Sequence, residues 1–118
     1  MTAIIYAGLP GEIKHDFLFK VKEKTPMGII NCICEVLNLS YNDIVGKCRK
    51  REIVEARQIA IGLILEANPK LTLKKVGRIF KRDHSTIIYA RNTYNDLLLT
   101  NKIFKSKVKQ VKRITHYD

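Results

Sequence analysis

Residues 72–87 read TLKKVGRIFKRDHSTI, and the order of residue types in this stretch decides the fold. Thr72 is a helix N-cap, and Leu73, Val76, Ile79 and Phe80 after it recur at the spacing of one helical face. Lys81-Arg82 leaves room only for a tight turn. Asp83 is a second N-cap, and Ile87, Ala90, Tyr94, Leu97 and Leu98 mark the core face of a longer helix. A short helix, a tight turn and a capped longer helix outline a helix-turn-helix, placed here at Leu73–Thr100.

Upstream, Asn68-Pro69 stops a helix, because the residue before proline avoids the helical region. That helix runs from about Glu52 to Ala67 with Ile53, Ala56, Ala60, Leu63, Ile64 and Ala67 on one face. Its second half is apolar nearly all round, the pattern of a helix central to a core. Further back, Thr25-Pro26 opens a helix striped by Ile29, Ile30, Ile33, Val36 and Leu37. Ser40 and Asp43 form a capping arrangement for about two turns more, which Gly46 is expected to close through its tolerance of positive φ. Downstream, Lys102 to Ile114 forms a last helix with Ile103, Phe104, Val108 and Val111 set among lysines. Residues 1–24 are harder to read: Phe17, Phe19 and Val21 alternate like a strand, yet Ile13, Phe17 and Val21 also fit a helix. The expected organisation is an appendage over 1–24 and one domain over 25–118, all-α, a compact bundle of about six helices.

Composition agrees and narrows the function. The chain has 118 residues, enough for one modest core, and 46% are hydrophobic, so it folds rather than staying disordered. Lysine and arginine number 22 against 11 acidic residues, a formal charge of +11, which favours a polyanionic partner, nucleic acid above all. No apolar run approaches the roughly 20 residues that span a bilayer. The first residues lack the basic start of a secretory signal. Cys32, Cys34 and Cys48 are expected to be reduced thiols; Cys32 and Cys34 would diverge by about 200° on a helix and share no metal. No metal, cofactor or small-molecule substrate is expected, and the location expected is the cytoplasm of a bacterium, nucleoid-associated, bacterial or phage-encoded.

In a helix-turn-helix the first turn of the second helix meets base edges in the major groove. Here that turn is Asp83-His84-Ser85-Thr86: Asp accepts from cytosine, His donates to an acceptor, and Ser or Thr bonds a phosphate. Ser85, Tyr89 and Asn92 face outward from the same helix. Lys47-Cys48-Arg49-Lys50-Arg51 is a second basic element at a helix boundary. Asp83, His84 and Ser85 are not a catalytic triad, since successive helical side chains diverge by about 100°. No phosphate loop, metalloprotease motif or nucleophile elbow supports an enzyme. His15 and His116 have no motif around them.

The residues Arg57-Gln58-Ile59-Ala60, Val76-Gly77-Arg78-Ile79-Phe80 and Arg82-Asp83-His84-Ser85-Thr86-Ile87 closely resemble the C-terminal DNA-binding domain (domain IV) of the bacterial replication initiator DnaA. The resemblance spans about Met27 to Lys112. It implies a Trp-repressor-like helix-turn-helix fold, and sequence-specific binding of double-stranded DNA at DnaA-box-like sites by a monomer. It implies base contacts by Asp83, His84 and Ser85 in the major groove and by Arg49 in the minor groove. It implies phosphate contacts by Arg57, Gln58, Thr86 and Arg82, with Leu73 and Lys74 near a further contact on the preceding helix. The chain departs from the family where Lys81 replaces two glycines, where Cys48 stands for a basic residue, and where Glu55-Ala56 stands for Arg-Pro. Without a phosphate loop in it, the chain is expected to read or regulate such sites in replication or transcription without ATPase activity of its own.

The competing expectation is a basic adaptor for anionic membrane or for a protein of a replication complex. The last helix discriminates: a lipid binder needs the face of Phe104, Val108 and Val111 exposed, whereas a DNA reader buries it.

Overall fold

The computed structural model describes residues 4–6, 12–13 and 25–115. Ile4–Tyr6 (β1) and Glu12–Ile13 (β2) form a short antiparallel pair. The strand pattern at Phe17–Val21, His15 and His116 lie outside the described residues. Six helices make up the rest, as the hydrophobic periods require: Pro26–Leu37 (α1), Tyr41–Val45 (α2), Arg51–Ala67 (α3), Leu73–Phe80 (α4), His84–Thr100 (α5) and Lys102–Thr115 (α6).

The expected caps are in place. Thr25 Oγ1 accepts from the Gly28 amide at 3.1 Å, with Pro26 in the first helical position of α1. Ser40 Oγ accepts from the Asp43 amide while Asp43 Oδ2 accepts from the Ser40 amide, a complete capping box on α2. Gly46 departs from expectation. It ends α2 at φ −80°, ψ −162°, an extended conformation open to any residue, so positive φ is not why glycine stands there. Space is the reason: a Cβ would run into the carbonyl oxygen of Asn42, which accepts from the Gly46 amide at 2.8 Å.

Helix α3 is the axis of the bundle, with α1, α2, α4 and α5 all packed on it. Ile59, Ala60, Ile61, Leu63 and Ile64 are fully buried, which is why the sequence there lacks a polar face. Of these neighbours α5 packs on it most extensively. The Tyr94 ring lies on the backbone of α3 at Gly62, where any Cβ would collide with it. Beyond Tyr94, Asn101 separates α5 from α6, its Oδ1 accepting from the Phe104 amide at 3.0 Å. Phe104 meets Tyr94 edge-on, with ring centroids 6.0 Å apart.

Helix α6 turns Phe104, Val108 and Val111 inward, at 1%, 2% and 0% exposure, and packs on α1 and α5. Ile103, just before Phe104, is 71% exposed. One residue is roughly 100° of helix, which turns Ile103 away from the inward face. Lys107 pairs with Glu55 at 3.0 Å and Lys112 with Glu66 at 3.6 Å, tying α6 to α3. Half-exposed pairs of this kind contribute at most about 1 kcal/mol each, so α6 is held by its apolar face. Among the described residues no helix is long and apolar enough to cross a membrane.

The contact at Gly62 sets the spacing of α3 and α5. Gly62→Ala is expected to push Tyr94 out of its place and lower stability by about 1–3 kcal/mol, measured as a lower urea midpoint at unchanged slope.

Candidate nucleic-acid interface

Helices α4 and α5 meet in a turn whose closeness has a specific cause. The Arg82 amide donates to the Gly77 carbonyl at 2.8 Å, and a Cβ on Gly77 would collide with the Arg82 carbonyl oxygen. Only glycine at position 77 lets the chain fold back so tightly. Lys81 takes the left-handed conformation itself, at φ 57°, ψ 43°. A single lysine thus makes the turn, at a conformational cost of about 1–2 kcal/mol for a residue with a Cβ.

The turn aims the start of α5 outward. Asp83 caps it: Oδ1 accepts from the Thr86 amide at 3.0 Å and from Ser85 Oγ at 2.8 Å. These bonds, the Thr86 amide first and the Ser85 hydroxyl next, hold the Asp83 carboxyl below its ordinary value of 3.8. A lowered native value means that the cap's contribution is complete above the ordinary carboxylate range. It is lost only as pH falls through the lower native value, so the capped turn is intact at neutral pH. Asp83, His84, Ser85 and Thr86 are all exposed, while Ile87 and Ala90 behind them are buried. Tyr89, one turn further along the same face, is 69% exposed.

Cations surround this turn. Lys74, Arg78, Lys81, Arg82 and His84, together with Gly77 and Asp83, line one open cleft between α4 and the start of α5. Lys74 and Arg78 are exposed one turn apart on α4, and the exposed Lys81 follows in the turn, so the three line the cleft as one stripe. Sequence reading picked out Lys74 but passed over Arg78 and Lys81, although that spacing was present in residues 74–81. The ion pairs among the described residues, Arg51–Glu55, Lys107–Glu55 and Lys112–Glu66, all lie on α3 and α6. The stripe on α4 therefore keeps its full positive charge facing outward.

Lys47, Arg49, Lys50 and Arg51 are exposed in and after the connection from α2 to α3. The connection is fastened to the turn: Arg82 donates from Nη2 to the Gly46 carbonyl at 2.6 Å and from Nη1 to the Val45 carbonyl at 3.3 Å. The structure thus brings the segment of Arg49 against the turn that presents Asp83, His84 and Ser85.

Two expected phosphate contacts have a different use. Arg57 is only 7% exposed and donates to the carbonyls of Ile44 (2.7 Å), Asp43 (3.0 Å) and Cys48 (3.1 Å). Burial, then the nearby charge of Arg82, lowers its pKa below the ordinary guanidinium range, and a guanidinium is a cation at neutral pH. A guanidinium held inside the protein in this way is not extended toward a phosphate. Arg82 is half-buried and donates to Val45, Gly46 and Phe80. Leu73 is half-buried and packs its side chain against the core. Gln58 is half-buried on α3; Thr86 and Lys74 remain exposed. Cys32 is buried, and Cys34 and Cys48 are half-buried.

Lys81→Gly relieves the left-handed lysine and removes one cation of the stripe. It is expected to raise stability by about 0.5–1 kcal/mol in chemical denaturation while weakening binding to any polyanion, the two effects having opposite sign.

Residues 26–93, more than half of the chain, match the family described as bacterial dnaA protein helix-turn-helix. Relatives include the chromosomal replication initiator protein DnaA of Corynebacterium jeikeium, 36% identical over 75% of this chain. Those of Chlorobaculum tepidum and Picosynechococcus are 30% and 32% identical over 86% and 99% of it. The matched segments make up 15%, 20% and 27% of those three proteins, so the chain corresponds to a minor part of each relative's length. With α4, the turn and the capped start of α5 all inside the matched residues, the chain belongs to the bacterial DnaA helix-turn-helix family, a family of DNA-binding domains.

Proposed function

We propose that the chain reads a short duplex sequence of the DnaA-box kind, with the first turn of α5 in the major groove. The observation that carries this reading is the outward set of Asp83, His84, Ser85 and Thr86, flanked by the cations of α4 and of residues 47–51. Short polar side chains at a helix start discriminate base edges, and lysine and arginine on either side hold the two phosphate strands. His84 and Asp83 contact bases; Ser85, whose hydroxyl is hydrogen-bonded to Asp83, acts with it as one unit. Arg49 enters the adjoining minor groove. Thr86, Gln58, Lys74, Arg78 and Lys81 contact phosphates, the amide of Leu73 assists, and the rest of Arg82 faces the same cleft.

The domain, residues 25–118, binds as a monomer and performs no chemistry. It acts as a reader of replication or transcription sites in the nucleoid of a bacterial or phage-infected cell. Burial of the Phe104, Val108 and Val111 face favours this reading over the lipid-binding one, because that face is not free to enter a membrane.

The test is fluorescence anisotropy on a duplex carrying one DnaA-box consensus and on a scrambled duplex, at low and at physiological salt. Preference that survives added salt is expected, since base contacts release no counterions. His84→Ala is expected to lower affinity for the box by about 1–3 kcal/mol and to leave the scrambled duplex nearly unaffected. Equal weakening on both duplexes refutes the base-reading role of His84. Lys109→Ala, on the exposed side of α6, is expected to change both only slightly.

A further inference from the structure

The segment that carries Arg49 has no regular structure from residue 46 to 50, yet its carbonyls are held from two directions. The last carbonyls of any helix lack partners within it. On the five-residue α2 they are taken by two arginines from elsewhere in the fold. Arg57, from α3, bonds the carbonyls of Asp43, Ile44 and Cys48. Arg82, from the turn of the helix-turn-helix, bonds those of Val45 and Gly46, and its own Phe80 carbonyl at 2.6 Å. Five carbonyls out of six consecutive residues, Asp43 to Cys48, are thus bound by two guanidiniums. Cations at a helix C-terminus are also favoured by its dipole, and charge-assisted bonds of this kind are stronger than neutral ones.

We infer that Arg57 and Arg82 are positioning residues that hold the Gly46–Lys50 segment, and Arg49 with it, in fixed register to the first turn of α5. This rests on the duplex reading proposed above, and it makes that reading a two-element device. Arg82 belongs to the turn that sets the start of α5 and grips the loop that presents Arg49, so both elements meet DNA as one rigid body. The ordering of the loop is complete before DNA arrives, and binding does not have to supply it. The geometry requires arginine. A lysine keeps the charge but has a single nitrogen, and it cannot span the Val45, Gly46 and Phe80 carbonyls that Arg82 reaches with two.

Two measurements test the inference. In the free wild-type chain, ¹⁵N relaxation is expected to give Lys47–Lys50 amides an order parameter near 0.85, like the helices; values below about 0.6 overturn the clamp. The second is a cycle of Arg49→Ala, Arg82→Lys and the double variant, with affinity measured on the box-bearing duplex and folding checked by circular dichroism. Each single change is expected to weaken binding by about tenfold or more, and the double variant to be no worse than the weaker single within about twofold. Losses that multiply in the double variant, wild-type binding by Arg82→Lys, or wild-type binding by Arg49→Ala each overturn the inference. Multiplying losses would mark Arg82 as an independent phosphate contact. Should Arg82→Lys fail to fold, Arg57→Lys takes its place in the cycle, and the order parameters decide whichever variants fold. A wild-type chain without preference for the box overturns the proposed function; a clear preference with a loose Lys47–Lys50 segment overturns the clamp alone.

Discussion

The structure depends on enclosing one helix. Helix α3 is apolar almost all round between Ile59 and Ile64, and a helix of that kind is stable in water only when neighbours cover every side of it. Helices α1, α2, α4 and α5 supply the cover, and the contact of Tyr94 against Gly62 fixes where α5 lies. That placement has a functional consequence. With Tyr94, Ala90 and Ile87 committed to the core, the opposite face of α5 and its first turn must point to solvent. The candidate interface is therefore held by the most deeply buried part of the molecule, with the exposed Asp83 adding the cap that starts α5.

Backbone polar groups impose the second constraint. A helix as short as α2 makes few internal hydrogen bonds, and the carbonyls of its last residues, Asp43, Ile44 and Val45, face Arg57 and Arg82. Such carbonyls need donors, and water cannot reach all of them. Arg57 and Arg82 meet the need. A buried or half-buried guanidinium is tolerable here because its donors face several carbonyl oxygens rather than apolar groups. The same two side chains add positive charge beneath the basic segment, with no carboxylate bonded to either among the ion pairs of the described residues. Stability of the loop and the electrostatic field of the interface thus come from the same atoms.

Much of the fold was legible in the residue order. Helix starts at Thr25, Ser40, Thr72 and Asp83 carry caps whose side chains bond the expected amides, because capping is decided within four residues and needs no tertiary partner. The core faces of α3, α5 and α6 followed from period alone. Gly46 was assigned the wrong reason: a glycine after a helix usually marks positive φ, whereas here the crowding oxygen of Asn42 excludes a Cβ. In the candidate site, the exposed first turn of α5 was legible, and the Lys74–Arg78–Lys81 stripe was present but unread. Arg57 and Arg82 were assigned to phosphates by the resemblance alone, and their carbonyl partners lie at sequence distances that no local pattern reports.

The sequence by itself determined the helices, their caps, the positive charge and the polar set Asp83-His84-Ser85-Thr86, all of them products of interactions within a turn or two of chain. Only the tertiary structure decided which cations stay available and which are turned inward. That choice depends on the carbonyls of α2 being brought to Arg57 from 13 residues away and to Arg82 from more than 30, contacts that exist only once the core around α3 has formed.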